Sequence, residues 1–108
     1  MSPKELKDQI IQILDDKNAQ DITALDIASK TTIADYFIIA TAKNAAQIKA
    51  LVEAIEENLE EKGVLALRKE GVNDARWVVI DYGSIFVHIF NAQTREFYNL
   101  EKLWGERS

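Results

Sequence analysis

The run Tyr36-Phe37-Ile38-Ile39-Ala40-Thr41-Ala42 constrains this chain more than any other stretch. A strand alternates its side chains between two faces, so a strand apolar at successive positions has no face to give to water. Such a segment belongs in the middle of a sheet, with other elements packed on it. The pattern predicts this central strand over 35–42. A second bulky stretch, Ile85-Phe86-Val87-His88-Ile89-Phe90, reads as a further strand over 85–90, with no place in the sheet assigned to it beyond its hairpin partner.

The covering layer is legible in two amphipathic segments. Ser2 is placed to cap a helix, with Pro3 in its first turn and Glu5 three places after the cap. Leu6, Ile10, Ile13 and Leu14 then recur at helical spacing, and Lys17-Asn18 ends the run. Asn44, with Gln47 three places on, opens the longest helix. Its buried face reads Ile48, Leu51, Val52, Ile55 and Leu59, and Gly63 suits its end.

Shorter strands are predicted over 22–28, 64–69 and 76–81, the last joined to 85–90 through a Tyr82-Gly83-Ser84 hairpin turn. The end, Ala92 to Trp104, reads as a short helix and a docked tail pinned by Leu103 and Trp104. The order gives an α/β fold with a mixed five-stranded sheet and covering helices. With 108 residues, 47% of them hydrophobic and 29% charged, one domain over 1–108 with one core is expected.

Composition removes several classes of function. There is no cysteine, so neither disulfides nor thiolate metal sites are available. The charged start lacks the apolar run of a signal peptide, and no stretch is long enough to span a bilayer, so a cytoplasmic location is expected. Acidic residues outnumber basic ones 18 to 13, a net charge of -5. Nucleic-acid binding rests on neutralising phosphates, so this balance favours a basic protein partner over direct RNA contact.

Catalytic patterns are missing. Metal-dependent nucleotidyl transfer needs two carboxylates on one strand face, two positions apart, and no Asp or Glu here is followed two places later by another acid. Asp81 stands alone at a strand end, as a turn residue does. The glycines at 63, 71, 83 and 105 form no phosphate-cradling loop. His88 has neither a nucleophile elbow nor further metal ligands at a useful spacing, so a structural, hydrogen-bonded strand histidine is expected. No cofactor or metal is implied. Glu53, Glu56, Glu57, Glu60 and Glu61 lie off the apolar stripe of their helix, as a solvated face or as an acidic patch steering a basic partner.

The aromatic residues leave two readings open. Trp77, Val79 and Asp81 share one sheet face, and Val78, Ile80 and Tyr82 the other. A face carrying both an indole and a carboxylate is not wholly core. Trp77 is thus either an exposed binding anchor or a residue partly covered by the C-terminal tail.

Three blocks resemble the ribosomal silencing factors, also called the Iojap family: Ala24–Ala42 (ALDIASKTTIADYFIIATA), Lys69–Phe90 (KEGVNDARWVVIDYGSIFVHIF) and Arg95–Trp104 (REFYNLEKLW). The resemblance implies a nucleotidyltransferase-like fold without known transferase activity. It implies binding to the large ribosomal subunit through its fourteenth ribosomal protein, which blocks joining of the small subunit and lowers translation when nutrients are scarce. Bacterial members can be dimers, and strands apolar on both faces with few covering helices are expected to leave an apolar patch through which the free chain forms a homodimer. By motif, the partner-binding residues are Trp77, Asp81, Gly83, Ser84, Tyr98 and Glu101. One departure is visible: many members carry a glycine- and serine-rich turn where this chain has Ala42-Lys43-Asn44-Ala45. Two other readings stand beside this one, a nucleotidyltransferase-like enzyme with an unorthodox site and a structural homodimer.

Overall fold

A computed structural model describes residues 1–98 of the chain. Helix α1 (Pro3–Asp16) starts where the Glu5 N–H donates to Ser2 Oγ at 3.1 Å, and its four predicted apolar residues are all buried. Strands β1 (Gln20–Asp26) and β2 (Tyr36–Ala42) pair antiparallel. Helix α2 (Ala45–Glu61) follows directly. The Asn44 carboxamide accepts from the Gln47 N–H at 2.8 Å, and Gln47 Oε1 accepts from the Lys43 N–H at 2.6 Å. This closed box satisfies two backbone donors at the entry to the helix. At the other end, Val64 N–H donates to Leu59 O and Gly63 N–H to Glu60 O, a Schellman stop with Gly63 at φ 80°.

Three strands and a short helix complete the order: β3 (Arg68–Glu70), β4 (Trp77–Asp81), β5 (Ile85–Asn91) and α3 (Ala92–Tyr98). The sheet order is β1-β2-β5-β4-β3, with β2 and β5 parallel and the other pairs antiparallel. The two bulky runs are therefore neighbours and lie inside the sheet, as two-sided apolarity demands. One face packs under α1 and α2, where Ile38, Ala40, Val78, Ile80, Ile85, Val87 and Ile89 join the helical stripes in the main core. Each such fully buried large aliphatic side chain is worth about 1.5–3 kcal/mol relative to exposure.

Two strand boundaries differ from the sequence pattern. The strand expected over 64–69 forms only at Arg68–Glu70. The Schellman stop occupies Val64, and β4 ends at Asp81, which pairs with Arg68. Residues 65–67 precede the ladder, held to β4 through the Leu67 N–H on Asp81 O at 2.7 Å, and Leu65 and Leu67 are exposed at 67% and 71%. The strand expected over 22–28 begins earlier, at Gln20, through a bulge between Gln20 and Thr23. It ends earlier too, where Asp26 Oδ1 accepts from the Ala28 N–H at 3.3 Å and turns the chain. The tail contacts expected of Leu103 and Trp104 lie outside the described residues.

Candidate docking face

The sheet face turned away from α1 and α2 carries the candidate residues. Alternation and register place Leu25 on β1, Phe37, Ile39 and Thr41 on β2, Phe86, His88 and Phe90 on β5, Trp77, Val79 and Asp81 on β4, and Arg68 on β3 upon it. Loop residues Ile27 and Ala34 fold onto Phe37 at one end of the face, where Phe37 and Phe86 stack at 5.8 Å between centroids. Helix α3 lies against β5 and β2. Phe37, Ile39 and Phe90 are buried in the single chain, so their strands leave no broad apolar sheet surface. Among the described residues the exposed large apolar side chains are Met1, Ile33, Leu65 and Leu67.

The hairpin gathers part of the predicted site. Asp81 Oδ1 accepts from the Gly83 N–H at 2.7 Å, and Asp81 Oδ2 lies 3.4 Å from Arg68 Nε. Gly83 adopts φ 84°, a conformation that favours glycine. The Ser84 carbonyl accepts from the Asp35 N–H at 2.7 Å, fixing the turn to the start of β2. Asp81, Gly83 and Ser84 thus form one rigid corner, and the Asp81 carboxylate shapes the turn as well as offering negative charge. Trp77 is not in that corner. It stands at the opposite end of β4, about 13 Å away along the strand.

At the Trp77 end the surroundings are aromatic. The indole is partly buried and stacks on Phe90, with centroids 5.0 Å apart. Its Nε1–H donates to His88 Nδ1 at 3.1 Å. His88 is buried at 5% exposure and meets Phe37 edge-on at 4.8 Å. Burial pushes its imidazole down to about 4. It is therefore neutral at physiological pH, the hydrogen-bonded strand histidine that the sequence pattern anticipates. On the other face the Tyr82 hydroxyl is driven the opposite way, well above the ordinary phenol value, first by burial and then by Glu56 and Glu60.

Helix α3 follows β5 directly, beside Trp77, where the Asn91 N–H donates to Arg76 O at 3.0 Å. Tyr98 is the last residue of α3, and Glu101 lies outside the described residues. Arg95 ties α3 across the sheet, donating to Thr41 Oγ1 at 2.8 Å, to Thr23 Oγ1 at 3.1 Å and to the carbonyl of Asp21. Neither this clamp nor the Trp77–His88 bond was anticipated from the residues. The second was countable: once Asp81 stands opposite Phe86, Val79 must stand opposite His88 and Trp77 opposite Phe90.

Enzyme-like features are sparse. Among the described residues no group of three His, Asp or Glu side chains converges as metal ligands do. A groove of about 390 Å³ opens at the carboxyl ends of parallel β2 and β5, the customary ligand position in α/β sheets. Of its charged lining, Arg76 Nε pairs with Asp74 Oδ2 at 2.9 Å, Lys43 lies on the rim, and the Asn44 cap of α2 faces it with its carboxamide oxygen already accepting from the Gln47 N–H.

The match to known proteins extends over the whole chain: residues 1–108 fit the family model "Ribosomal silencing factor during starvation". The chain belongs to the ribosomal silencing factor family. Ribosomal silencing factor RsfS of Bacillus subtilis is 42% identical over 92 residues, covering 85% of this chain and 78% of that protein. A solved structure from Chromobacterium violaceum superposes with a TM-score of 0.94 at 33% identity, covering 97% of this chain and 88% of that one. A mouse protein named for mitochondrial assembly of the ribosomal large subunit is 30% identical over 104 residues, 94% of this chain and 46% of its own length. In this silencing factor no helix among the described residues is long and apolar enough to cross a membrane.

Proposed function

We propose that this silencing factor is a cytoplasmic translational repressor, a single unit over residues 1–108. It binds the large ribosomal subunit through that subunit's fourteenth ribosomal protein and holds the small subunit off. The observation that carries the reading is family membership over the full length. The charge balance agrees with it, because a chain of net charge -5 is repelled by exposed rRNA and drawn to a basic ribosomal protein. The contact uses Trp77 and Tyr98 as apolar anchors and the Asp81–Ser84 corner as a second, separate point of contact, with Glu101 supplying further acid. No catalytic step is involved. When free, the chain pairs with a second copy, and exposed Leu65 and Leu67 beside edge strand β3 supply an apolar surface for it.

The test is sedimentation with separated subunits, with light scattering of the free protein. The wild type is expected to pellet with large subunits alone, to prevent joining, and to scatter as a dimer. Trp77→Ala and Tyr98→Ala, once shown folded by circular dichroism, are expected to bind about thirtyfold more weakly, the effect of losing a hot-spot aromatic worth about 2 kcal/mol. Pelleting with small subunits, or normal joining while bound, refutes the steric block. Wild-type binding by both variants refutes the choice of anchors, and a monomer at high concentration refutes pairing.

A further inference from the structure

The Trp77 indole is held by the residue diagonal to it across the ladder. Trp77 stands opposite Phe90, and His88 lies two places back on β5, opposite Val79. Diagonal neighbours in an antiparallel pair sit about 7–8 Å apart, within reach of a large aromatic side chain. The indole uses that reach. It stacks on Phe90 at 5.0 Å and 25° between planes, and its Nε1–H meets His88 Nδ1 at 3.1 Å.

His88 is built as a fixed acceptor. It is buried at 5% exposure, edge-on to Phe37 at 4.8 Å and within 10° of parallel to the Phe90 ring. Accepting at Nδ1 fixes the neutral tautomer with its proton on Nε2. That Nε2–H is buried with no hydrogen-bond partner among the described residues, at a desolvation cost. A phenylalanine or leucine would fill the same aromatic setting without the cost. The histidine is explained by what Nδ1 does for the indole.

We propose that His88 is a positioning residue for docking, fixing the orientation in which Trp77 is presented to the large subunit. The inference rests on the reading of Trp77 as a contact with that subunit. Trp77 is partly buried, so its exposed edge is small and its angle decides what a partner meets.

Two substitutions separate holding from filling. His88→Phe keeps a ring and removes the acceptor. His88→Asn is smaller but keeps an acceptor oxygen where Nδ1 sits. The Phe variant is expected to lose about tenfold in affinity for purified large subunits, the scale of one hydrogen bond. Its Trp77 indole N–H resonance, assigned by its loss in Trp77→Phe, should shift and exchange faster with solvent. The Asn variant should keep both properties near wild type. A residue that only fills space gives the reverse order, with Phe unimpaired and Asn impaired, and that order overturns the proposal. Wild-type binding by Trp77→Ala also overturns it. That failure belongs to the docking assignment and is distinguishable, because the indole resonance would still report the bond. Should the Phe variant not fold, nitrogen shifts of His88 in the wild-type protein decide: an unprotonated Nδ1 is expected, and a protonated one overturns the assignment.

Discussion

Acidification should weaken this protein through His88. In the folded chain its imidazole protonates only near 4, against 6.5 for the free side chain, because burial penalises the cation. Its ring neighbours Phe37, Trp77 and Phe90 offer no charge in compensation. Between those two values the unfolded chain binds the proton and the folded chain does not, so stability falls as pH falls from 6.5 towards 4. Each tenfold difference in proton affinity is worth about 1.36 kcal/mol, so the loss is about 2 kcal/mol at pH 5 and levels off near roughly 3 kcal/mol below pH 4. Denaturant unfolding at pH 7 and pH 5, at one fixed protein concentration, measures it for the wild type and His88→Phe. Carboxylates outside the aromatic setting act equally in both proteins, so the difference isolates His88. The wild type should lose about 2 kcal/mol more than the variant between the two pH values. Equal losses would refute the argument, as would a His88 proton resonance that titrates near 6.5 in the folded protein.

Four further outcomes are expected. Gly71→Ala should cost about 2 kcal/mol or more in denaturant unfolding, because Gly71 sits at φ 83° and an added Cβ would fall 2.1 Å from the Trp77 carbonyl oxygen. Gly63→Ala meets nothing within 4 Å, so it should cost only the roughly 1 kcal/mol of left-handed backbone strain. Arg95→Ala should destabilise by about 1–3 kcal/mol and speed amide exchange in α3, because it removes the ties from that helix to Thr41, Thr23 and Asp21. Incubation with labelled nucleoside triphosphates and magnesium or manganese should transfer no label, since no strand carries the paired acids that hold two metal ions; robust transfer lost in Asp81→Asn would contradict that.

What the residues determined by themselves was local. Both long helices, with their caps at Ser2 and Asn44 and the stop at Gly63, follow from side chains within a turn of the backbone groups they satisfy. The β4–β5 hairpin follows likewise, because Tyr82-Gly83-Ser84 closes it with contacts a few residues apart. The silencing-factor blocks are also local strings, which is why the family was legible along the chain.

Tertiary structure decided the rest. The length of β3 depends on where β4 ends, not on the apolar pattern of residues 64–67. The parallel pairing of β2 with β5 places Ile39 beside His88 across a gap of 49 positions, and strand alternation alone cannot choose between neighbours. The Arg95 clamp reaches Thr41, Thr23 and Asp21 over separations of 54, 72 and 74 residues. The docking residues divide by the same rule. Asp81, Gly83 and Ser84 form their corner within one turn, whereas Trp77 gains its orientation from a histidine on the next strand. Alternation assigns a side chain to a face, but only the register of the finished sheet sets which neighbour it meets, because that depends on every strand around it.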